Sequence, residues 1–284
     1  MMRVLLTGAG GMLGRDLTEV LAGYDLHAAT RATLDITDAS AVESAVSGVD
    51  VVVNAAAYTA VDEAESHRDA AFLINAEGPK NLARAAKKAG ARLIHVSTDY
   101  VFDGSATSPY AEDTERNPQS VYGQSKAAGE EALESDYPEG SIIVRTAWLY
   151  GQHGPNFPKT MLRLAQSNDT VSVVTDQIGQ PTWSKDLAKW IKNLIDSPVQ
   201  SGVFHGTNAG HTSWFDFARE VYSLAGLDPE RITPTTSDHF ERPAPRPSWS
   251  VLGHEAWDEA GLATPRPWKD ALVEAFPICF GGSK

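Results

Sequence analysis

The chain has 284 residues, of which 42% are hydrophobic and seven are tryptophan, so the composition supports a folded core and argues against disorder. Its formal net charge of −13 disfavours nucleic acid and anionic membrane surfaces as partners. A single cysteine, Cys279, excludes an internal disulfide and is typical of a reducing compartment. Because no segment has the length and apolarity of a membrane span or a signal peptide, we expect a cytoplasmic protein.

The first half of the sequence alternates between strand and helix patterns. An apolar strand at 3–7 precedes a helical spacing of leucines. The same alternation continues with strands at 26–30, 50–57, 92–98 and 141–150 and helices at 39–47, 69–89 and 119–135. This pattern predicts an α/β fold with a Rossmann-type doubly wound parallel sheet, forming a dinucleotide-binding domain over residues 1–150.

The second half, residues 151–284, is less regular. Amphipathic helices are predicted over 156–167 and 183–195, and the proline-rich stretch 228–250 is interpreted as an ordered loop. Cys279 is expected in an irregular tail, which argues against a nucleophilic role. We therefore expect a smaller C-terminal substrate-binding region, with part of the chain returning to the sheet.

Three glycines, Gly8, Gly11 and Gly14, follow the first strand directly and open the first helix around Met12 and Leu13. Gly8 permits a tight turn, Gly11 lets backbone amides approach phosphate oxygens, and Gly14 allows close packing of helix on strand. The positive end of the helix dipole adds attraction for an anion. The sequence therefore predicts a pyrophosphate cradle, although a tight turn without a ligand would have the same pattern.

The second strand ends in Arg31, where an acidic residue would usually bind a ribose 2′-hydroxyl. A guanidinium suits a 2′-phosphate instead, so the sequence favours NADPH, with NADH still possible and a solvated surface arginine as the alternative. Asp35, beside Ile36 in the same predicted cofactor site, is a candidate acceptor for the adenine amino group. It could equally belong to the start of the next helix.

Tyr122 and Lys126 lie four residues apart and therefore share one helix face. A free phenol has a pKa near 10, and a nearby ammonium lowers it, so this pair could protonate a carbonyl oxygen during hydride transfer. Thr98 ends the 92–98 strand, where open α/β sheets bind ligands, and could orient that carbonyl. The Tyr122/Lys126 pair and Thr98 are each common by chance. Their occurrence in this order after a glycine cradle is much less common.

These stretches together resemble the extended short-chain dehydrogenase/reductases and, among them, the family of dTDP-4-dehydrorhamnose reductases. The resemblance covers nearly the whole chain and is carried by the segments TGAGGMLG (7–14), VVNAAAYTAVDEAE (52–65), LINAEGPKNLA (73–83), HVSTDYVFDG (95–104), VYGQSKAAGE (121–130), RTAWLYG (145–151), NFPKTMLRLA (156–165) and DQIGQPTW (176–183). It implies NADPH-dependent reduction of the C4 keto group of a nucleotide-activated 6-deoxyhexose, as in dTDP-L-rhamnose or related deoxysugar synthesis, in a monomer or homodimer.

The resemblance also implies roles for matching positions. Tyr122 would be the general acid, with Lys126 supporting it and holding the nicotinamide ribose. Residues implied to face the sugar are Thr98, Asp99, Tyr100 and Trp148, and those implied to line the cofactor are Asn54, Ala55, Ala56 and Ala57. Arg246 is a candidate for the nucleotide diphosphate or its loop, although Trp249 stands where the family usually has asparagine, which leaves that contact open.

Two other functions on this fold fit these residues less well. Dehydratases on this fold have Thr-Asp-Glu at the strand end, where the glutamate serves elimination; this chain has Tyr100 there, so a dehydratase or epimerase is disfavoured. A non-catalytic dinucleotide-binding regulatory subunit could dispense with Tyr122 or Lys126, and this chain has both. The histidines show no zinc-binding spacing, so no metal is expected.

Overall fold

The computed structural model describes residues 1–281. Its strands are β1 (Arg3–Thr7), β2 (Asp25–Ala29), β3 (Val51–Asn54), β4 (Arg92–Thr98), β5 (Ser141–Thr146), β6 (Leu149–Tyr150), β7 (Val171–Val174), β8 (Ile178–Gly179), β9 (Thr182–Trp183), β10 (Gly202–His205), β11 (Thr212–Ser213) and β12 (Ile232–Thr235). Its helices are α1 (Met12–Val20), α2 (Ala39–Val46), α3 (Val61–Ala64), α4 (Arg68–Phe72), α5 (Gly78–Ala89), α6 (Val121–Asp136), α7 (Phe157–Leu164), α8 (Ser184–Asp196), α9 (Trp214–Leu224), α10 (Glu255–Glu259) and α11 (Trp268–Cys279).

A six-stranded parallel sheet in the order β10-β5-β4-β3-β1-β2 forms the centre of the molecule. The strand order changes direction between β1 and β3, so their carboxyl ends form the crevice in which doubly wound sheets bind ligands. The predicted Rossmann-type α/β fold is confirmed. Within residues 1–281, no helix combines the length and apolarity needed to cross a bilayer.

Each face of the sheet is covered by its own apolar layer. On one face, Leu13 and Leu17 of α1 pack with Leu187 and Ile191 of α8 over the strands. The other face is covered mainly by α2 and α5, together with residues such as Leu133 of α6. Because both faces are buried, β3 consists entirely of buried residues (VVVN), as parallel central strands require.

The later part of the chain contributes both to the main sheet and to a second hydrophobic core. Strand β10 pairs with β5 in the main sheet, and α8 packs against α1. A separate core forms from Tyr150, Trp183 and residues of α9 and α11. The first half therefore supplies most of the sheet, while the later part of the chain adds its edge strand β10 and forms the second hydrophobic core.

The predicted strand 141–150 is wrong in its second half. Strand β5 ends at Thr146, Trp148 has φ +46, and Leu149–Tyr150 pairs with β9 in a small sheet of its own. A positive φ is rare for a bulky residue, and it turns the chain out of the main sheet. The apolar run alone could not reveal this turn.

Four further expectations need correction. The predicted strand 50–57 ends at Asn54, so residues 55–57 form the loop after β3. The predicted helix 69–89 is divided by a π-helical segment over Leu73–Glu77, although it ends at Gly90 as predicted. The expected loop 228–250 contains β12, which pairs with β7. Cys279 is not in an irregular tail: it is the last residue of α11 and contacts the second core.

A buried ion network joins α6 to β5. Glu130 is fully buried and receives hydrogen bonds from the guanidinium of Arg145, the shortest at 2.8 Å, and from Arg116 at 3.1 Å. Arg145 is 2% exposed, so neither it nor Glu130 could reach water if its partner were removed. The network fixes the position of α6, the helix that carries the predicted catalytic residues Tyr122 and Lys126.

We expect Glu130→Ala to lower the free energy of unfolding by about 3–5 kcal/mol, because it leaves the Arg145 charge buried without a partner. Glu134 also pairs with Arg116, at 2.7 Å, but is half-exposed, so Glu134→Ala should cost no more than about 1 kcal/mol. Urea unfolding followed by circular dichroism measures both. Equal losses for the two variants would contradict the assignment.

Candidate active site

The turn between β1 and α1 is built around glycine. Gly8 has φ +74, and a Cβ there would lie 2.5 Å from backbone atoms of Ala55 and Ala56. A Cβ on Gly14 would overlap the carbonyl oxygen of Gly8. Helix α1 begins after Gly11 without a capping side chain, so its first amides are free for an anion.

This turn opens into a cavity of about 820 Å³, the first cavity. It runs along the carboxyl ends of β1 and β3 to Tyr122 and Lys126 on α6. The structure brings into its wall the predicted cofactor residues Gly8, Gly11, Met12, Leu13, Gly14, Arg31, Asp35, Ile36, Ala55, Ala56, Ala57, Tyr122 and Lys126. A glycine cradle with uncapped amides at one end and a phenol and an amine at the other suits a dinucleotide.

Asn54 is the one predicted cofactor residue that does not line this cavity. It is fully buried beneath it, where its Oδ1 accepts from the hydroxyl of Thr7 at 2.6 Å and from the amide of Ala56 at 3.1 Å. Its Nδ2 faces Nδ1 of His95 at 2.9 Å. Asn54 therefore supports the strand ends below the cavity instead of forming its surface.

Arg31 and Asp35 occupy the far end of the first cavity. Arg31 is exposed just beyond β2. Asp35 accepts from the amide and hydroxyl of Thr37, at 2.9 and 2.8 Å, and these bonds lower its pKa. Asp38, not Asp35, caps α2, which leaves Asp35 in the cavity wall.

Tyr122 and Lys126 lie together on the buried face of α6, as their spacing predicts. Nζ of Lys126 donates to the carbonyl oxygen of Val96 at 2.7 Å and lies 3.1 Å from Nε2 of His95. Burial lowers the pKa of Lys126 to about 8, against the charge of Glu130, which raises it. The amine can therefore change its charge near neutral pH.

The expected lowering of the phenol pKa does not occur in this structure. Burial raises the pKa of Tyr122 to about 12, the neighbouring Thr98 side chain lowers it in part, and the Asp99 charge adds to the increase. Desolvation, which disfavours the phenolate, is the largest of these effects. Tyr122 is thus held as a neutral phenol with a proton to give.

Thr98 and Asp99 lie at the end of β4 beside Tyr122. The Thr98 hydroxyl donates to Oδ1 of Asp99 at 2.9 Å. Both residues are buried, and burial raises the pKa of Asp99 to about 6, against the hydrogen bond from Thr98 that lowers it. They adjoin Tyr122 from beneath rather than lining either cavity.

A second cavity, of about 450 Å³, lies across Tyr100 from the first. The rings of Tyr100 and Tyr122 meet edge to face at 5.5 Å, and each lines one of the two cavities. The predicted substrate residues Trp148 and Arg246 also line the second cavity. The contact between Tyr122 and Tyr100 therefore joins the walls of the two cavities.

Stacked aromatic rings form one wall of the second cavity. Trp148 stacks on Trp214 with ring centroids 3.5 Å apart and planes at 10°, and Phe157 packs against Trp214 at 4.5 Å. A Cβ on Gly179 would lie 2.5 Å from the Trp148 ring. The positive φ of Trp148 thus places the indole in a slot that only glycine leaves open.

Arg246 is held in place by an acidic partner. Its guanidinium donates to Oδ2 of Asp62 at 2.9 Å, and Arg242 approaches the same carboxylate at 3.7 Å. The indole nitrogen of Trp249, at the position that departs from the family pattern, donates to the carbonyl oxygen of Ser108 at 2.9 Å. These contacts tie the 240–250 segment over the second cavity.

Several wall residues could not be found from the sequence. Trp214 and Arg242 enter the second cavity from parts of the chain distant from each other, and no local pattern marks them. Gln177 also lines this cavity; its segment, 176–183, carries the family resemblance, but nothing within that segment indicates this position. His95 belonged to a segment already singled out for its resemblance, but only the fold places it against Lys126. In residues 1–281 no three His, Cys, Asp or Glu side chains are grouped so as to hold a metal ion.

Comparison with known proteins agrees with this geometry. Residues 2–278 match the family model described as the RmlD substrate binding domain. A dTDP-4-dehydrorhamnose reductase of Streptomyces griseus is 50% identical over 287 residues, covering 98% of this chain and 94% of that protein. A dTDP-4-keto-6-deoxy-D-glucose reductase of Streptomyces niveus is 49% identical over 280 residues, covering 97% of each.

Solved structures give the same picture. A dTDP-4-dehydrorhamnose reductase of Bacillus anthracis str. Ames in complex with NADP superposes with a TM-score of 0.92 at 38% identity, covering 98% of this chain and 99% of that one. One from Clostridium acetobutylicum ATCC 824 reaches 0.93 at 44% identity, with coverage of 98% and 99%. With its fold and nearly its whole length matched, the chain belongs to the RmlD substrate binding domain family.

Proposed function

We propose that the protein reduces the C4 keto group of a nucleotide-activated 6-deoxyhexose, of the dTDP-4-dehydrorhamnose type, with NADPH as the hydride donor. The observation that carries this proposal is the position of Tyr122. Its ring lines the first cavity and packs against Tyr100, which lines the second. A proton donor between a dinucleotide site and a sugar-sized cavity suits carbonyl reduction.

Bound NADPH would supply a hydride to the keto carbon. Tyr122 gives its phenolic proton to the carbonyl oxygen as that oxygen gains charge, so the ketone becomes an alcohol and the phenol becomes a phenolate. Lys126, when protonated, stabilises the phenolate, which then recovers a proton from solvent. Thr98 lies next to the phenol, and its side chain lowers the phenol pKa in part, which favours the charged form.

The relatives support the substrate class. The Streptomyces griseus and Streptomyces niveus proteins carry names of reductases acting on dTDP-4-keto-6-deoxysugars. A dTDP-glucose 4,6-dehydratase of Streptomyces venezuelae shares only the fold, at 19% identity and a TM-score of 0.80. Tyr100, in place of a glutamate, leaves this chain without the base that elimination needs, so reduction is favoured over dehydration.

Replacement of Tyr122 by phenylalanine should lower kcat by roughly 10²- to 10⁴-fold, because it removes the proton donor. The Kd for NADPH should stay nearly constant, since the ring is kept. The measurement is NADPH oxidation with purified protein against a panel of dTDP-4-keto-6-deoxysugars, with product stereochemistry read by NMR. Retained activity in this variant would refute the role of Tyr122, and a wild-type protein inactive on the whole panel would refute the substrate class.

Replacement of Gly14 by alanine should raise the Kd for NADPH more than about tenfold, a loss of about 1.4 kcal/mol. The new Cβ would overlap the Gly8 carbonyl oxygen and force α1 away from β1. Gly23→Ala is the matched control, since no atom lies within 4 Å of its new Cβ and Gly23 lies outside the first cavity, and its Kd should change by no more than about twofold. Fluorescence titration of NADPH distinguishes them; similar values would exclude the cradle.

Replacement of Arg31 by alanine should raise the KM for NADPH about tenfold while leaving that for NADH nearly unchanged, because only NADPH carries a 2′-phosphate for the guanidinium to bind. Arg84→Ala, which removes an exposed arginine paired with Asp136 outside both cavities, should change neither constant. Initial-rate kinetics with each cofactor measure the KM for NADPH and for NADH in both variants. An equal effect of Arg31→Ala on NADPH and NADH would rule out the phosphate contact.

A further inference from the structure

A hydrogen-bonded chain of buried side chains runs beneath the first cavity to Lys126. It passes from Thr7 to Asn54, then to His95 and on to the amine. Thr7, Asn54 and His95 are fully or almost fully buried, so water cannot substitute for a missing partner. The positions of the protons along this chain can therefore be worked out from donors and acceptors alone.

The backbone fixes the orientation of the Asn54 amide. The amide N–H of Ala56 is an obligatory donor and lies 3.1 Å from Oδ1 of Asn54, so the oxygen must face it. The NH₂ group therefore faces Nδ1 of His95 at 2.9 Å. Because an amide NH₂ can only donate, Nδ1 of His95 must carry no proton.

His95 is a neutral imidazole. Burial, and then the charge of Lys126, hold its pKa well below the ordinary value. With Nδ1 unprotonated, the single ring proton lies on Nε2, and this N–H points at Nζ of Lys126, 3.1 Å away. An ammonium has no lone pair to accept that proton, whereas a neutral amine has one.

We propose that His95 is a positioning residue that acts through Lys126: its Nε2–H, held in place by Asn54, stabilises the uncharged amine and so, together with burial, lowers the pH at which Lys126 becomes an ammonium. The remaining N–H groups of the amine are free for the Val96 carbonyl oxygen, at 2.7 Å, and for the first cavity. The kinetic consequence rests on the proposed ketoreductase function; the position of the ring proton does not.

Other charged groups around Lys126 do not remove this effect. Glu130, one turn further along α6, raises the pKa of Lys126, but its carboxylate is occupied by Arg145 and Arg116. Helix α6 packs against β4 and β5, and the titratable and charged groups on these elements around Lys126 are Tyr122 and Glu130 on α6, His95 on β4, Asp99 directly after β4, and Arg145 on β5. Among them, His95 is the group in hydrogen-bond contact with Nζ.

The decisive variant is Asn54→Asp, which keeps the shape but exchanges the donor for an acceptor. A carboxylate can accept from Thr7 and Ala56 as before, and it requires a proton on Nδ1 of His95. Nε2 then becomes an acceptor for the Lys126 ammonium. His95→Gln is the companion variant: its amide oxygen can accept from both Lys126 and Asn54 without adding a charge.

Two NMR readouts test the proposal without any substrate. Two-bond ¹⁵N–¹H correlation of the imidazoles, with the His95 signals identified by their loss in His95→Gln, should show the proton on Nε2 in the wild type and on Nδ1 in Asn54→Asp. Titration of the Lys126 side-chain resonance should give a midpoint near 8 in the wild type and about 1 unit higher in both variants. A wild-type proton on Nδ1, or an unmoved Lys126 midpoint in both variants, would overturn the proposal.

The kinetic readout follows the same titration. The kcat/KM for keto-sugar reduction should fall about tenfold per pH unit above the Lys126 midpoint, and this alkaline limb should move to higher pH in both variants. A purely structural role for His95 would lower kcat/KM equally at every pH and leave the limb in place, which counts against the proposal. If no keto sugar is reduced, the proposed function fails, while the NMR result still decides the role of His95.

Discussion

The site depends on one row of residues across the sheet. In the parallel register Thr7 lies beside Asn54, and Asn54 lies beside His95, so three polar side chains on β1, β3 and β4 meet directly below the ligand crevice. A slip of one residue would turn each of them to the opposite face. The apolar layers on both faces prevent that slip, because it would also expose the core residues of each strand.

This row connects the two ends of the first cavity. Asn54 accepts from the amide of Ala56, and the same Ala55–Ala56 backbone closely approaches Gly8. On its other side, Asn54 orients His95 toward Lys126. The glycine turn and the Lys126 amine are therefore fixed by one set of contacts. As a result, the proposed pyrophosphate site at the turn and the proton-transfer site at Tyr122 and Lys126 keep a constant separation.

How far the sequence predicted this arrangement depends on how local each feature is. The bounds of β1 and β4 and the glycine turn were predictable because a strand followed by spaced glycines is a local pattern. The turn at Trp148 was not, since it depends on a slot at Gly179 and on Trp214, both distant in the chain. Cys279 was misplaced because a short apolar stretch near a terminus gives no sign of the core it packs against. The partner of His95 required the strand register, which no single segment contains.

The electrostatics of Tyr122 follow from burial more than from charge. A phenol paired with an ammonium is expected to ionise more easily, yet desolvation keeps the proton on Tyr122, with a pKa of about 12. For a group that must give a proton to an oxygen becoming an alkoxide, this is an advantage, since the proton is present throughout the neutral range. The phenolate exists only after transfer, and only then does a charge on Lys126 contribute. A lysine whose pKa is lowered to about 8 is still mostly protonated at neutral pH, so it can supply that charge, although its burial makes the charged form less stable than in water.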